Sequence, residues 1–258
     1  MVDLHSHILP GVDDGSPSWE DSLEMCRLSV ADGVTTMAAT PHMLDGVYNV
    51  PAATALALLA ELRTRLAAAQ IPLTVVQGAD VRVNSDLPAL VKARDVLTVG
   101  ESGAYLLVEF PHDILPPNTA ELLFALKLAG ICPIITHPER HFAVQQHPEL
   151  VRPWIEAECL VHITAASITG AFGRAALKCS RQLLDAGWVH MVASDAHGVR
   201  RRPPGLSAAR ALVTEWMGPL EAAAIFDYRP RTVLAGGYVG LPGRPAPEAK
   251  GWRWWRRK

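Results

Sequence analysis

Five short clusters of histidine and carboxylate residues each stand at the carboxyl end of an apolar, strand-like run. They are His5-Ser6-His7, Thr40-Pro41-His42, Gly78-Ala79-Asp80, Thr136-His137-Pro138-Glu139-Arg140 and Ser194-Asp195-Ala196-His197. A lone histidine at a strand end is more often structural than a ligand. Five clusters at the same end of successive strands require those ends to meet on one face. The pattern therefore predicts parallel strands that converge on one polynuclear metal site.

The strand-like runs are 2–4, 34–39, 73–76, 105–110, 131–136, 160–164 and 189–193. Segments with helical periodicity lie between them, at 19–32, 53–69, 119–128, 171–186 and 207–216. Ser16 or Ser18 suits the cap of the first, ahead of Glu20 and Asp21. Alternation repeated about seven times argues for parallel strands with crossover helices. In an open doubly wound sheet the ligands would gather at one switch point. Here nearly every strand contributes, which favours a closed α/β barrel with its site at the carboxyl end.

A chain of 258 residues allows one α/β barrel or two small domains, and 49% hydrophobic residues supply a sizeable core. The net charge of −2 gives no sign of nucleic-acid binding. The start, Met1-Val2-Asp3-Leu4-His5, enters a motif directly, so no signal peptide is expected. No apolar run approaches the roughly 20 residues that span a bilayer. Cys26, Cys132, Cys159 and Cys179 are scattered, which argues against a disulfide framework and for a cytoplasmic location. From about Pro242 the chain turns to Pro, Gly and charge, ending Trp252-Arg253-Trp254-Trp255-Arg256-Arg257-Lys258. The reading is a barrel over 1–241 and a disordered tail over 242–258, either simply solvated or a basic-aromatic contact for anionic lipid or a partner.

His5 and His7, two apart on a strand, point the same way and can chelate one ion. Asp195 adds an anionic oxygen, and Asp80 is placed to bridge two ions. Glu109 is a carboxylate in an otherwise apolar strand, and needs a metal or a cation if buried. His137 would join Asp80 and Glu109 on a second ion, leaving Asp14, His42 and His197 for a third. Mixed N/O ligation suits manganese, iron or zinc better than calcium. Arg140 follows His137 in the same short turn, and Arg200, Arg201 and Arg202 follow His197. A guanidinium fork matches phosphate oxygens. Arg140 and Arg202 are the candidate substrate contacts; Arg140, Asp80 and His42 are the candidates for direct participation in catalysis. His112, His141, His147, His162 and His190 read as structural, although His112 and His141 lie near enough to this face to meet substrate.

Metals, a bridging hydroxide and a flanking arginine make a phosphoester hydrolysis site. No cysteine has the Cys-x5-Arg spacing of a thiol phosphatase, and no G-x-S-x-G elbow is present.

Taken together, these residues resemble the PHP superfamily, and within it the bacterial manganese-dependent tyrosine-protein phosphatases of capsule and exopolysaccharide systems. The opening Asp3-Leu4-His5-Ser6-His7-Ile8-Leu9-Pro10-Gly11-Val12-Asp13-Asp14-Gly15-Ser16 is similar to that subfamily's N-terminal signature, and Arg202-Pro203-Pro204 to another of its elements. The resemblance covers about residues 1–241. It implies a distorted (β/α)7 TIM-like barrel of the PHP type with three metals. His5, His7, Asp80 and Asp195 would hold the first; Asp80, Glu109 and His137 the second; Asp14, His42 and His197 the third. Arg140 would bind phosphate. The implied substrate is a phosphotyrosine protein, a membrane tyrosine autokinase, which places the chain at the inner face of the membrane. One position departs: the family usually has glutamate where this chain has Asp80.

Three rivals stand beside that reading. A PHP small-molecule phosphatase, such as a histidinol-phosphate phosphatase, would share the metals but not the 9–15 loop. An amidohydrolase would bridge its metals with a carboxylated lysine at a strand end, whereas the lysines here fall in helical segments or the tail. A non-catalytic scaffold would use the altered site to bind a kinase tail. The sequence also leaves homo-oligomer formation open.

Overall fold

The computed structural model describes residues 1–111 and 113–240. Its strands are β1 (Val2–Asp3), β2 (Thr36–Ala39), β3 (His42–Met43), β4 (Thr74–Gln77), β5 (Asp80–Arg82), β6 (Tyr105–Glu109), β7 (Cys132–Thr136), β8 (Leu160–Thr164) and β9 (Met191–Ala193). All pair in parallel. Two staves of the barrel are broken, β2 from β3 at Thr40-Pro41 and β4 from β5 at Gly78-Ala79. Their lower halves pair β1-β2-β4 and their upper halves open the run β3-β5-β6-β7-β8-β9. Counting each broken pair once gives seven staves in chain order.

Closure comes from residues just beyond β1 and β9. Ser6 bridges Ala196 in parallel. The Asp195 N–H donates to His5 O at 2.9 Å, and the His7 N–H to Ala196 O at 2.9 Å. Asp3 reinforces the seam, its Oδ1 accepting from the Ser194 N–H at 3.0 Å. The sheet is thus a closed, distorted (β/α)7 barrel, as expected. Helices fall close to their predicted spans, at Trp19–Ala31, Ala52–Ala68, Thr119–Leu128, Gly173–Asp185 and Ser207–Met217. Ser18, not Ser16, caps the first, its side chain accepting from the Asp21 N–H at 3.2 Å. The tail at 242–258 and His112 lie outside the described residues.

Strand alternation splits the core into two layers. Leu106, Val108, Ile135, Val161, Ile163 and Val192 pack outward among the helices. Val2, Leu4, Tyr105, Leu107, Ile134, Leu160 and Met191 form a separate interior cluster, with Val233 and Val239 joining from the C-terminal segment. Side chains two residues apart on a strand share a face. Leu107 therefore stands directly below Glu109, and Leu160 below His162. The apolar plug forces the polar layer above it to the carboxyl end, where the site lies.

Two backbone positions at that end are unusual. His137 has φ 34° and Asp195 φ 51°, left-handed values that cost a non-glycine residue roughly 1–3 kcal/mol. Both are predicted ligands. The loop after β1 folds back tightly, the Ser16 N–H donating to His7 O at 3.0 Å. A Cβ on Gly15 would sit 2.1 Å from His7 O and 2.4 Å from His7 Cβ. Gly15→Ala is therefore expected to cost about 1–3 kcal/mol in denaturant unfolding. Gly198→Ala, with nothing within 4 Å of the added carbon, is expected to stay within about 0.5 kcal/mol.

Candidate metal centre

The barrel brings all nine predicted ligands to its carboxyl end. His5 Nε2 lies 3.5 Å from Asp80 Oδ2 and 3.4 Å from Asp195 Oδ1. His7 Nε2 is 3.4 Å from the same Asp195 oxygen and 3.1 Å from His5 Nε2. Asp14 Oδ1 stands 3.4 Å from His42 Nε2 and 3.3 Å from His197 Nε2. His137 Nε2 is 3.7 Å from Glu109 Oε1. Three overlapping sets have one donor atom per residue within 4.8 Å of all the others: His5, His7 and Asp80; His42, Asp80 and Glu109; and His7, Asp14, His42 and His197. Two residues are more central than their sequence positions suggest. His7 also faces the Asp14 set, and His42 also faces Asp80, with Nδ1 3.6 Å from Oδ2.

The chemistry of the donors fits divalent cations. Asp80 is 1% exposed, and neither of its oxygens has a hydrogen-bond partner among the described residues. A buried carboxylate left so is costly unless a cation satisfies it. Burial, and then the neighbouring charge of Glu109, push the Asp80 carboxyl up to about 8. Asp195 behaves oppositely. Burial alone would raise its pKa, yet His5, His7 and Arg202 hold it well below the ordinary carboxylate range. Its Oδ1 faces the two histidines. Its Oδ2 accepts from both Arg140 Nη1 and Arg202 Nη2. Those two guanidiniums also share the Phe172 ring, at 4.8 Å and 5.5 Å from its centroid. The arginines that follow β7 and β9 thus converge beside the candidate ligands.

Three contributors were not predicted. Asp13 Oδ2 accepts from the His42 N–H at 3.2 Å and lies 2.9 Å from His7 Nδ1, orienting one ring and the neighbouring strand. Arg82 Nη2 approaches Glu109 Oε2 to 3.2 Å. Its signal was available, since Arg82 lies two residues after Asp80 on the same face. His162 is fully buried, with Nε2 2.8 Å from His5 Nδ1, and burial lowers its pKa to about 4. His141 is buried and caps the helix Phe142–Gln146, its Nδ1 accepting from the Ala143 N–H at 3.2 Å. It lines a small cavity with Phe110, Leu115, His137, Pro138 and Trp154. His190 is structural, as expected, its Nδ1 accepting from the Val161 N–H. Lys92, Lys127 and Lys178 sit in helices.

Comparison with known proteins identifies the chain's relatives. The tyrosine-protein phosphatase YwqE of Bacillus subtilis (strain 168) is 39% identical over 203 residues, 78% of this chain and 79% of that protein. The tyrosine-protein phosphatase CpsB of Streptococcus pneumoniae is 28% identical over 239 residues, 91% of this chain and 98% of that protein. A crystal structure from work on YwqE and CpsB, described as unique metal-dependent tyrosine phosphatases, superposes with a TM-score of 0.88 at 32% identity, covering 95% of this chain and 100% of that one. A TatD-like protein from Archaeoglobus fulgidus shares the fold alone, with a TM-score of 0.53 at 13% identity over 90% of this chain and 99% of that one. The family model for capsular polysaccharide synthesis, CpsB/CapC, matches residues 1–235, and the chain belongs to that family.

Proposed function

We propose that the chain is a metal-dependent protein-tyrosine phosphatase of a capsule or exopolysaccharide system, acting on a membrane tyrosine autokinase at the inner face of the membrane. The observation that carries this reading is the buried Asp80 carboxylate, unpartnered at both oxygens and ringed by histidines, beside two convergent arginines. His5, His7, Asp80 and Asp195 would hold one ion, Asp80, Glu109 and His137 a second, and Asp14, His42 and His197 a third. Manganese is the first candidate, with iron or zinc as alternatives.

Bound cations would supply an activated hydroxide for direct attack on phosphorus and would neutralise the phosphoryl oxygens. The protein's own groups do the rest. Arg140 and Arg202 present N–H donors at one point, and an incoming phosphoryl group competes with Asp195 Oδ2 for them. The Phe172 face holds both guanidiniums in place. His42, between Asp14 and Asp80, links the second and third ligand sets. A thiol nucleophile is unsupported, because burial pushes all four cysteines up to about 12. Asp80 is one methylene shorter than the glutamate usual in the resemblance. Its Oδ2 nonetheless lies 3.5 Å from His5 Nε2 and 3.6 Å from His42 Nδ1, so Asp80 would still hold a cation beside either histidine.

Purified protein with Mn2+ is expected to release phosphate from a phosphotyrosine peptide and not from histidinol phosphate, and EDTA is expected to abolish that release. Release from histidinol phosphate alone would assign the small-molecule reading. No release from either would assign the scaffold reading, with Asp80→Glu the first variant to restore turnover. Arg140→Ala is expected to lower kcat/KM by about 100-fold while leaving Mn2+ content unchanged; near-normal turnover would remove it from the phosphate site.

The Trp- and Arg-rich end of the sequence suits contact with an anionic lipid surface. Removing residues 242–258 is expected to reduce co-sedimentation with phosphatidylglycerol vesicles and to leave peptide hydrolysis intact. Equal sedimentation of the two chains would sink the lipid contact.

A further inference from the structure

His5 is a fully buried candidate ligand, with carboxylates on its Nε2 side and a second imidazole on its Nδ1 side. A histidine binds a metal through the nitrogen that carries no proton, and its other N–H is then donated to a neighbour. That neighbour is usually a carboxylate, a backbone carbonyl or water. Here it is His162, at 2.8 Å. An imidazole partner makes the arrangement two-fold ambiguous, because either ring can donate. If His162 donated, its proton would sit on Nε2 and His5 would be left with its proton on Nε2, facing Asp80 and Asp195. A cation would then be shut out. If His5 donates, its Nε2 lone pair faces those carboxylates and is ready for a metal.

The surroundings of His162 decide between these. Its Nδ1 lies 3.5 Å from Ile163 O, an acceptor, so the ring's own proton belongs on Nδ1. Nε2 is then an acceptor aimed at His5. The ring is held there by β8, whose register places His162 opposite Thr136, one residue before His137. Leu160 lies two residues below it in the apolar plug. We infer that His162 is the positioning residue that fixes His5 in its metal-binding tautomer. This rests on the reading of the site as a metal centre.

The test compares wild type, His162→Gln and His162→Phe, each checked first for cooperative thermal unfolding. Calorimetric titration of the metal-free full chain with Mn2+ alone is the first readout. Glutamine retains an acceptor oxygen, whereas phenylalanine fills the space and accepts nothing. The expected result is a loss of roughly 10- to 100-fold in Mn2+ affinity for His162→Phe and under about threefold for His162→Gln. Wild-type affinity in a folded His162→Phe overturns this inference alone. A wild type that takes up no Mn2+ overturns the metal reading of the whole site. If His162→Phe does not fold, long-range 1H–15N spectra of the metal-free wild type decide. A proton on His5 Nδ1 supports the assignment, and a proton on His5 Nε2 overturns it.

Discussion

The seam between the first and seventh staves is the contact on which the site depends. It joins residues 3–7 to residues 194–196 through backbone hydrogen bonds and the Asp3 carboxylate. His5 and His7 meet Asp195 only because this seam closes. The cost of bringing together segments 191 positions apart is recovered from the apolar plug beneath, where Val2 and Leu4 pack with Leu107, Leu160 and Met191. The left-handed backbone at Asp195 is set at the same seam. Closure, ligand placement and backbone strain are thus one feature of the fold.

Charge follows from that geometry. Asp80 and Glu109 are both buried and come together in one ligand set, and burial, then their mutual repulsion, raises the Asp80 pKa. Arg82 offsets part of the Glu109 charge from the rim. Asp195 is instead crowded by donors, two arginines on one oxygen and three histidines, His5, His7 and His197, on the other. The centre therefore has a carboxylate pair that needs cations beside an arginine pair able to take an anion. That combination suits hydrolysis of a phosphoester, in which metal and oxyanion must be held side by side.

Most of the barrel, and the meeting of the candidate ligands at its carboxyl end, was legible in the sequence, because parallel strands buried on both faces read as apolar runs and the candidates interrupt them at fixed ends. What escaped has physical reasons. The breaks at Thr40-Pro41 and Gly78-Ala79 are local, and only the pairing of β3 with β5 shows that the staves continue. Asp13 looks like one half of an acidic turn until the loop folds back and puts it between His7 and His42. His162 lies within an unbroken apolar run and reads as a core histidine. Only the register of β7 against β8 raises it to the level of the site. His141, close enough to the face to meet substrate, is buried and serves as a helix cap.

The central claim is that the two unpartnered oxygens of Asp80 face divalent cations. Anomalous diffraction at the manganese edge, from crystals grown with Mn2+, tests it most directly. The account predicts peaks bridged by the Asp80 carboxylate, with His5 and Glu109 on either side. Peaks confined to the protein surface, with the Asp80 oxygens hydrogen-bonded to water alone, would contradict it.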